Sequence, residues 1–363
     1  MDPSTGSRWL VLAALSGACA SHPSAGTGGG AGGTAGAGAT GPDAASGSDC
    51  GGAGETRRTD PASAGDGDFT IAPPYQAAPE LTVAAGVPRG QLSMFTLSSS
   101  GSAIYPSDVA TGVAFTRSIW VYVPAQYVAG TTAPFMVVQD GGLFTTWIPP
   151  TLDTMIDEGR LPVTIAILIN PGPGDGIGSE RGLEYDTVSD AYVTFIETEI
   201  LPAVQTRYGV TLTTDPEGRS AVGLSSGGAA AFTMGWFRPD LYHRILTYSG
   251  SFVALGVTAA YPHGAWEYHE HLIAENGAKP LRVFLEAAQN DDTVANVTHG
   301  LDPALSGFYD WLQANIDMAA ALEAKCYHTR YVYAADAGHA NGAVITQTLP
   351  DELVWLWQGY PMP

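Results

Sequence analysis

The stretch that most constrains what this 363-residue chain can fold into runs from Arg219 to Met234. Arg219-Ser220-Ala221-Val222 reads as a buried strand, Gly223-Leu224-Ser225-Ser226-Gly227 as a sharp turn, and Gly228-Ala229-Ala230-Ala231-Phe232-Thr233-Met234 as a helix. In a chain with 45 glycines the G-x-S-x-G spacing has little weight by itself. Its setting has more. A strand that feeds a helix through a tight turn lifts the serine hydroxyl above the end of a sheet, and small residues are required where strand and helix converge. Such a strand is buried on both faces, so the rest of the chain must supply parallel neighbours and covering helices.

From Phe69 onward the sequence meets that demand, because short β-branched runs alternate with longer helical patterns. Strands are predicted at 92–98, 117–123, 134–139, 163–169, 219–223, 244–248, 281–286 and 329–333. A helix is predicted over 190–208, where Tyr192, Phe195, Ile196, Ile200, Leu201 and Val204 form one apolar stripe. Others are predicted over 305–325 and 349–358. The expected class is α/β, with a mostly parallel central sheet of about eight strands and helices on both faces.

The N-terminus reads differently. Arg8 precedes an apolar run from Trp9 to Leu15, and small residues surround Cys19, as in an export signal over 1–20. Ala18-Cys19-Ala20 fits a general cleavage site, whereas Leu15-Ser16-Gly17-Ala18-Cys19 is similar to a lipoprotein box whose apolar residue stands four places before the cysteine instead of three. A chance apolar patch in a disordered tail is the third reading. Residues 21–66 are Gly, Ala, Ser and Thr with almost no large apolar side chain, a composition that cannot offset its ordering entropy and reads as a flexible linker. A tether directly after a lipidated Cys19 would hold the domain over 67–363 clear of a membrane. The expected location is outside the cytoplasm: periplasmic, at the cell surface or secreted.

Net charge excludes one large class of partner. At −21, with only 15 Lys and Arg, the chain has no basic face for a phosphate backbone, so nucleic acid is not expected. Three cysteines, Cys19, Cys50 and Cys326, are too few and too scattered for a disulfide framework or a zinc site, and a Cys50–Cys326 bridge would tie the linker to the core. His269 and His271 flank Glu270, but two histidines without a third ligand do not make a zinc site.

A serine hydroxyl needs a base, and a base needs an orienting acid, in the chain order Ser, Asp or Glu, His for this type of turn. The strand ending at Glu286 leads into Asn290-Asp291-Asp292, and the strand ending at Tyr333 leads into Asp336-Ala337-Gly338-His339. Ser225, His339 and one of the two carboxylates, Asp291 or Asp292, are therefore the candidate catalytic set, with the other carboxylate capping a turn. An oxyanion would take one N–H from Ser226 and a second from Asp140-Gly141-Gly142, with Gly141 the expected donor. Phe144 and Trp147 are expected to wall the substrate pocket, together with the loop 171–181. No metal or organic cofactor is implied.

With these residues in place, the chain resembles the putative-esterase family of α/β-hydrolases, which includes enterochelin esterases and is similar to feruloyl esterases and mycolyltransferases. The resemblance runs over about 66–361. It rests on Val121-Tyr122-Val123-Pro124, Val138-Gln139-Asp140-Gly141, Glu180-Arg181-Gly182-Leu183-Glu184-Tyr185-Asp186, the Ser225 turn with Tyr248-Ser249-Gly250-Ser251-Phe252, and Gly338-His339. It implies an α/β-hydrolase fold, Ser225 as nucleophile, Asp291 as acid and His339 as base. Ala287-Ala288 departs from the glycine that relatives usually place before the acid. The implied substrate is a small-molecule or glycan ester, such as a siderophore or a feruloyl or acetyl polysaccharide. An acyltransferase with a sugar acceptor, or a surface-anchored binding module on a hydrolase scaffold, are the alternatives.

Overall fold

The computed structural model describes residues 66–295, 297 and 301–362. The predicted signal, Cys19 and the linker up to residue 65 lie outside the described residues. Among those described, no helix is long and apolar enough to cross a membrane.

Among the described residues eleven strands are formed: β1 (Phe69–Ile71), β2 (Gln91–Ser98), β3 (Thr116–Val123), β4 (Thr132–Ala133), β5 (Phe135–Gln139), β6 (Ile165–Ile169), β7 (Thr211–Leu212), β8 (Arg219–Leu224), β9 (Arg244–Tyr248), β10 (Arg282–Asn290) and β11 (His328–Gly338). Nine make one sheet in the order β1-β11-β10-β9-β8-β5-β6-β3-β2, and β4 pairs with β7 apart from it. Every pairing from β1 to β6 is parallel, and only β3 runs against its neighbours. All eight predicted strands are present, and the additions are the three-residue β1 and the two-residue β4 and β7. Strands that short have too few residues to show alternation, which is the signal a sequence carries.

Alternation along the central strands divides the core between two layers. Phe135 and Val137 of β5 and Ile245 of β9 point into the layer that holds Phe195, Phe232 and Met318, while Met136, Val138 and Leu246 point into the layer that holds Leu152, Ile345 and Leu353. The helices Ser226–Phe237 and Trp311–Ala324 thus cover one face, and the helices Ile148–Asp157 and Gly342–Leu356 cover the other.

Three helices differ from expectation, each for a local reason. The stripe over 190–208 is wholly buried, but its middle turn Ile196–Ile200 is a π-helix just ahead of Pro202, which has no N–H to continue the regular ladder. The helix predicted from 305 starts at Trp311 instead, because the Asp310 carboxylate caps it by accepting from Gln313 N–H. The last helix begins at Gly342, seven residues before the predicted 349, with the Asn341 amide oxygen as cap and Pro350 inside it. That interior proline made the true start look like a loop.

Two observations correct the reading of the domain's edges. Asp66, placed in the linker, is held against the domain: its carboxylate lies 2.6 Å from His328 Nδ1 and accepts from Trp355 Nε1–H at 3.1 Å. Cys326, whose bridge to Cys50 the sequence left open, is disulfide-bonded; the chain's other two cysteines lie outside the described residues.

Candidate active site

Parallel strands deliver their C-terminal ends to one edge, and register decides which side chains meet there. Asn290 of β10 pairs with Gly338 of β11, so the next residues, Asp291 and His339, leave the sheet side by side. A register shift between Ala288 and Asn290 re-aims the end of β10 at that point. Leu224 of β8 pairs with Tyr248 of β9, which sets Ser225 beside the turn Ser249-Gly250-Ser251.

Ser225 occupies a backbone state that L-residues rarely adopt, φ 54° and ψ −131°. Such a state costs about 1–3 kcal/mol and persists only when its surroundings enforce it. Here Ser225 N–H donates to Tyr248 C=O at 2.9 Å, and Ser225 C=O accepts from Ser251 N–H at 3.0 Å and Gly228 N–H at 2.9 Å. Gly223 makes the turn feasible, because a Cβ at that position would stand 2.2 Å from Gly227 O.

The strained serine points its Oγ at His339 Nε2, 2.8 Å away, and His339 Nδ1 lies 2.5 Å from Asp291 Oδ1. Asp291 is buried and anchored, with Oδ1 accepting from Asp292 N–H at 2.7 Å. Asp292 Oδ2 stands 3.9 Å from the same ring nitrogen, beyond hydrogen-bond reach, and its carboxyl is raised by burial. Ser225, His339 and Asp291 are thus brought together, and Asp292 remains beside them without joining the chain. Such a chain can pass a proton from the serine oxygen to the imidazole while the carboxylate holds the ring with its proton on Nδ1.

Ser226 and Gly141 each open a helix, Ser226–Phe237 and Gly141–Phe144, so neither N–H has an acceptor within its own helix. The neighbouring Gly142 N–H is taken by Asn170 Oδ1 at 2.8 Å. Gly141 has no room for a side chain, since a Cβ would meet Ile169 N at 2.3 Å. The loop that carries it is clamped from behind. Asp140, at φ 52°, accepts a two-pronged pair from Arg181, Nε at 3.1 Å and the NH2 terminus at 2.9 Å. Burial opposes the charge on Arg181, and Asp140 more than offsets it, so the guanidinium pKa is raised.

Phe144 does not wall a pocket. It is fully buried among Met136, Val138 and Leu168, because the helix that starts at Gly141 turns it back toward the sheet. Trp147 is half-buried, stacks edge-on against Phe144 at 5.5 Å, and lies over Gly342, three residues beyond His339.

Three further groups converge on the site without having been singled out. Ser251 Oγ is 3.4 Å from Ser225 Oγ, and Trp311 Nε1–H donates to it at 2.9 Å. Glu286 does not reach His339. It sits inside β10 with Oε2 3.5 Å from Ser249 Oγ, which in turn accepts from Ala340 N–H at 3.0 Å. Full burial, reinforced by the nearby Asp291 charge, pushes Glu286 up to about 8. The clue in the sequence was the Ser-Gly-Ser at the end of β9, next to the strand that carries Ser225; Trp311 had no local signature.

A family model described as Putative esterase matches residues 114–334. The chain belongs to the Putative esterase family. Its mostly parallel sheet with helices on both faces has the α/β-hydrolase type of fold. Solved structures agree on the fold. The enterobactin esterase of Shigella flexneri superposes with a TM-score of 0.55 at 19% identity, covering 78% of this chain and 62% of its own. The ferric enterobactin esterase of Salmonella typhimurium gives 0.54 at 20% identity, with coverage of 75% and 59%. A ferulic acid esterase of the anaerobic fungus Anaeromyces mucronatus gives 0.54 at 16% identity, with coverage of 78% and 98%. The esterase therefore spans about three fifths of the enterobactin enzymes and nearly all of the fungal one. No curated protein matches its sequence.

Proposed function

We propose that this esterase hydrolyses its ester through an acyl-enzyme on Ser225. His339 takes the Ser225 proton as the oxygen attacks the ester carbonyl, and returns it to the leaving alcohol. A water then gives its proton to the same nitrogen, attacks the acyl group, and releases the acid. Asp291 holds the imidazole in the tautomer this requires. The N–H groups of Ser226 and Gly141 receive the oxyanion, since both are first-turn amides at the edge where Ser225 stands. The observation that carries the proposal is the unbroken path from Ser225 Oγ to His339 at 2.8 Å and from His339 to Asp291 at 2.5 Å.

The substrate class we infer is a small-molecule or glycan ester outside the cytoplasm, of the enterobactin or feruloyl kind named for the structural neighbours. The disulfide at Cys326 supports an oxidising compartment, and the export-signal pattern before Cys19 agrees with it. We further infer a lipid anchor at Cys19, which Cys19→Ser would release from membranes; equal partitioning of both forms into a detergent phase would refute that anchor.

Hydrolysis of p-nitrophenyl acetate, enterobactin and methyl ferulate by the wild type and Ser225→Ala tests the rest. The expected result is turnover by the wild type and a loss of several orders of magnitude in the folded variant. Undiminished turnover by Ser225→Ala would overturn the mechanism. Transfer of the acyl group to an added sugar in preference to water would overturn the hydrolytic outcome.

A further inference from the structure

We propose that Ser251 and Trp311 form a polarised donor chain that orients the Ser225 hydroxyl, making both of them positioning residues for the reaction. The inference rests on the reading of Ser225 as nucleophile and extends the site beyond Ser225, His339 and Asp291.

The argument is one of hydrogen-bond inventory. An indole nitrogen can only donate, and a serine hydroxyl has one proton and two lone pairs. Trp311 Nε1–H gives its proton to Ser251 Oγ at 2.9 Å, so one Ser251 lone pair is occupied and its own proton must turn elsewhere. Ser225 Oγ lies 3.4 Å from Ser251 Oγ, a contact in which either hydroxyl can donate, and in the proposed chain the proton is that of Ser251. With Ser251 donating to it, Ser225 is left to direct its own proton to His339 Nε2 at 2.8 Å. The sequence of donors therefore runs one way, from Trp311 through Ser251 and Ser225 to His339. At 3.4 Å the Ser251 contact is long at rest, as hydrogen bonds in unliganded active sites often are, and it strengthens as charge builds on Ser225 Oγ. A donor there stabilises the oxygen both when it loses its proton to His339 and when it leaves the acyl group.

The surroundings hold this pair as firmly as the strained serine itself. Ser251 and Trp311 are both almost wholly buried. Ser251 N–H binds Ser225 C=O at 3.0 Å, so the two serines are linked through main chain as well as side chain. Asn315, one turn after Trp311, donates its amide protons to Gly250 C=O and to Trp311 C=O, each at 2.8 Å, which locks the turn that carries Ser251 to the start of the helix. Trp311 also reaches the other two members of the site. Its ring stands nearly perpendicular to that of His339, at 82° with 6.0 Å between centroids, and its backbone N–H donates to Asp292 C=O at 3.0 Å, beside Asp291. One residue thus touches the turn, the imidazole and the acid loop. A purely structural tryptophan would need none of those three contacts to fill its place in the core.

The test is a double-mutant cycle with Ser251→Ala and Trp311→Phe, which removes the indole proton and keeps an aromatic ring beside His339. Steady-state kinetics on p-nitrophenyl acetate are read together with the rate at which a fluorophosphonate probe labels Ser225. Ser251→Ala is expected to lower kcat and the labelling rate about tenfold, the loss of one hydrogen bond to a charged centre, with KM little changed. Ser251→Thr, which retains the hydroxyl, is expected to recover most of that loss. Trp311→Phe is expected to cost several-fold alone and almost nothing in the Ser251→Ala background, because it acts through Ser251. Fully additive losses would overturn the proposal, and so would wild-type labelling by Ser251→Ala, an outcome that can be read even if Trp311→Phe fails to fold. Ser225→Ala separates the two readings: a variant that still labels refutes Ser225 as nucleophile, whereas a silent one with a normal Ser251→Ala refutes only the donor chain.

Discussion

Replacing Glu286 by Gln should make the protein markedly more stable above pH 8 and leave it nearly unchanged at pH 4. Glu286 lies in the middle of the sheet, and its Oε1 has no hydrogen-bond partner among the described residues. Burial first, and the Asp291 charge second, raise its carboxyl from the ordinary 4.5 to about 8. The sign follows from proton counting. Below the unfolded value of 4.5 both states hold the proton, and this carboxyl leaves stability intact. Between 4.5 and 8 the unfolded chain releases it while the folded chain keeps it, so stability falls as pH rises, and the loss is complete once the folded group ionises. At about 1.4 kcal/mol for each tenfold change in proton activity, the loss reaches about 5 kcal/mol, a large part of the ~5–15 kcal/mol that holds a domain together. A glutamine has no proton to lose and can still accept from Ser249, so its variant escapes that loss. Guanidinium unfolding followed by circular dichroism at pH 4, 6, 8 and 9 measures it. If wild type and Glu286→Gln lose stability with the same pH slope, the burial argument is refuted. Esterase activity at pH 7 should survive the change, because Glu286 does not touch His339.

Asp291→Asn should lower kcat by about 10⁴ through the wrong imidazole tautomer, whereas Asp292→Asn should retain most of it, a contrast read by kcat on a soluble ester with folding checked by circular dichroism. Phe144→Ala should cost about 3–5 kcal/mol in denaturant unfolding with KM unchanged, because the ring fills the core and meets no substrate; a selective rise in KM would restore it to the pocket. Gly141→Ala should destabilise by about 1–3 kcal/mol and lower kcat, since its Cβ would be driven against β6, and a thermal melt equal to wild type would refute that packing.

Chain order and local chemistry carried most of this protein's design. The buried apolar runs specified eight of the strands, and the Gly223 to Gly228 turn specified where a serine would be raised above them. The positions of Asp291 and His339 just past two strand ends were legible for the same reason, since each is a local consequence of a strand stopping. Three matters were not local. Whether Asp291 or Asp292 meets the imidazole depends on the Asn290–Gly338 register and the irregularity before it, and an alternation pattern contains neither. Phe144 looked like a pocket wall because its segment leaves the sheet at the end where open α/β folds bind ligands, but the four-residue helix Gly141–Phe144 rotates it into the core. Trp311 lies 60 residues from Ser251 and 28 from His339 in sequence, and it reaches both only because β9, β10 and β11 end side by side. Contacts of that kind come from the sheet's closing of distant strand ends onto one edge, which no window of sequence contains.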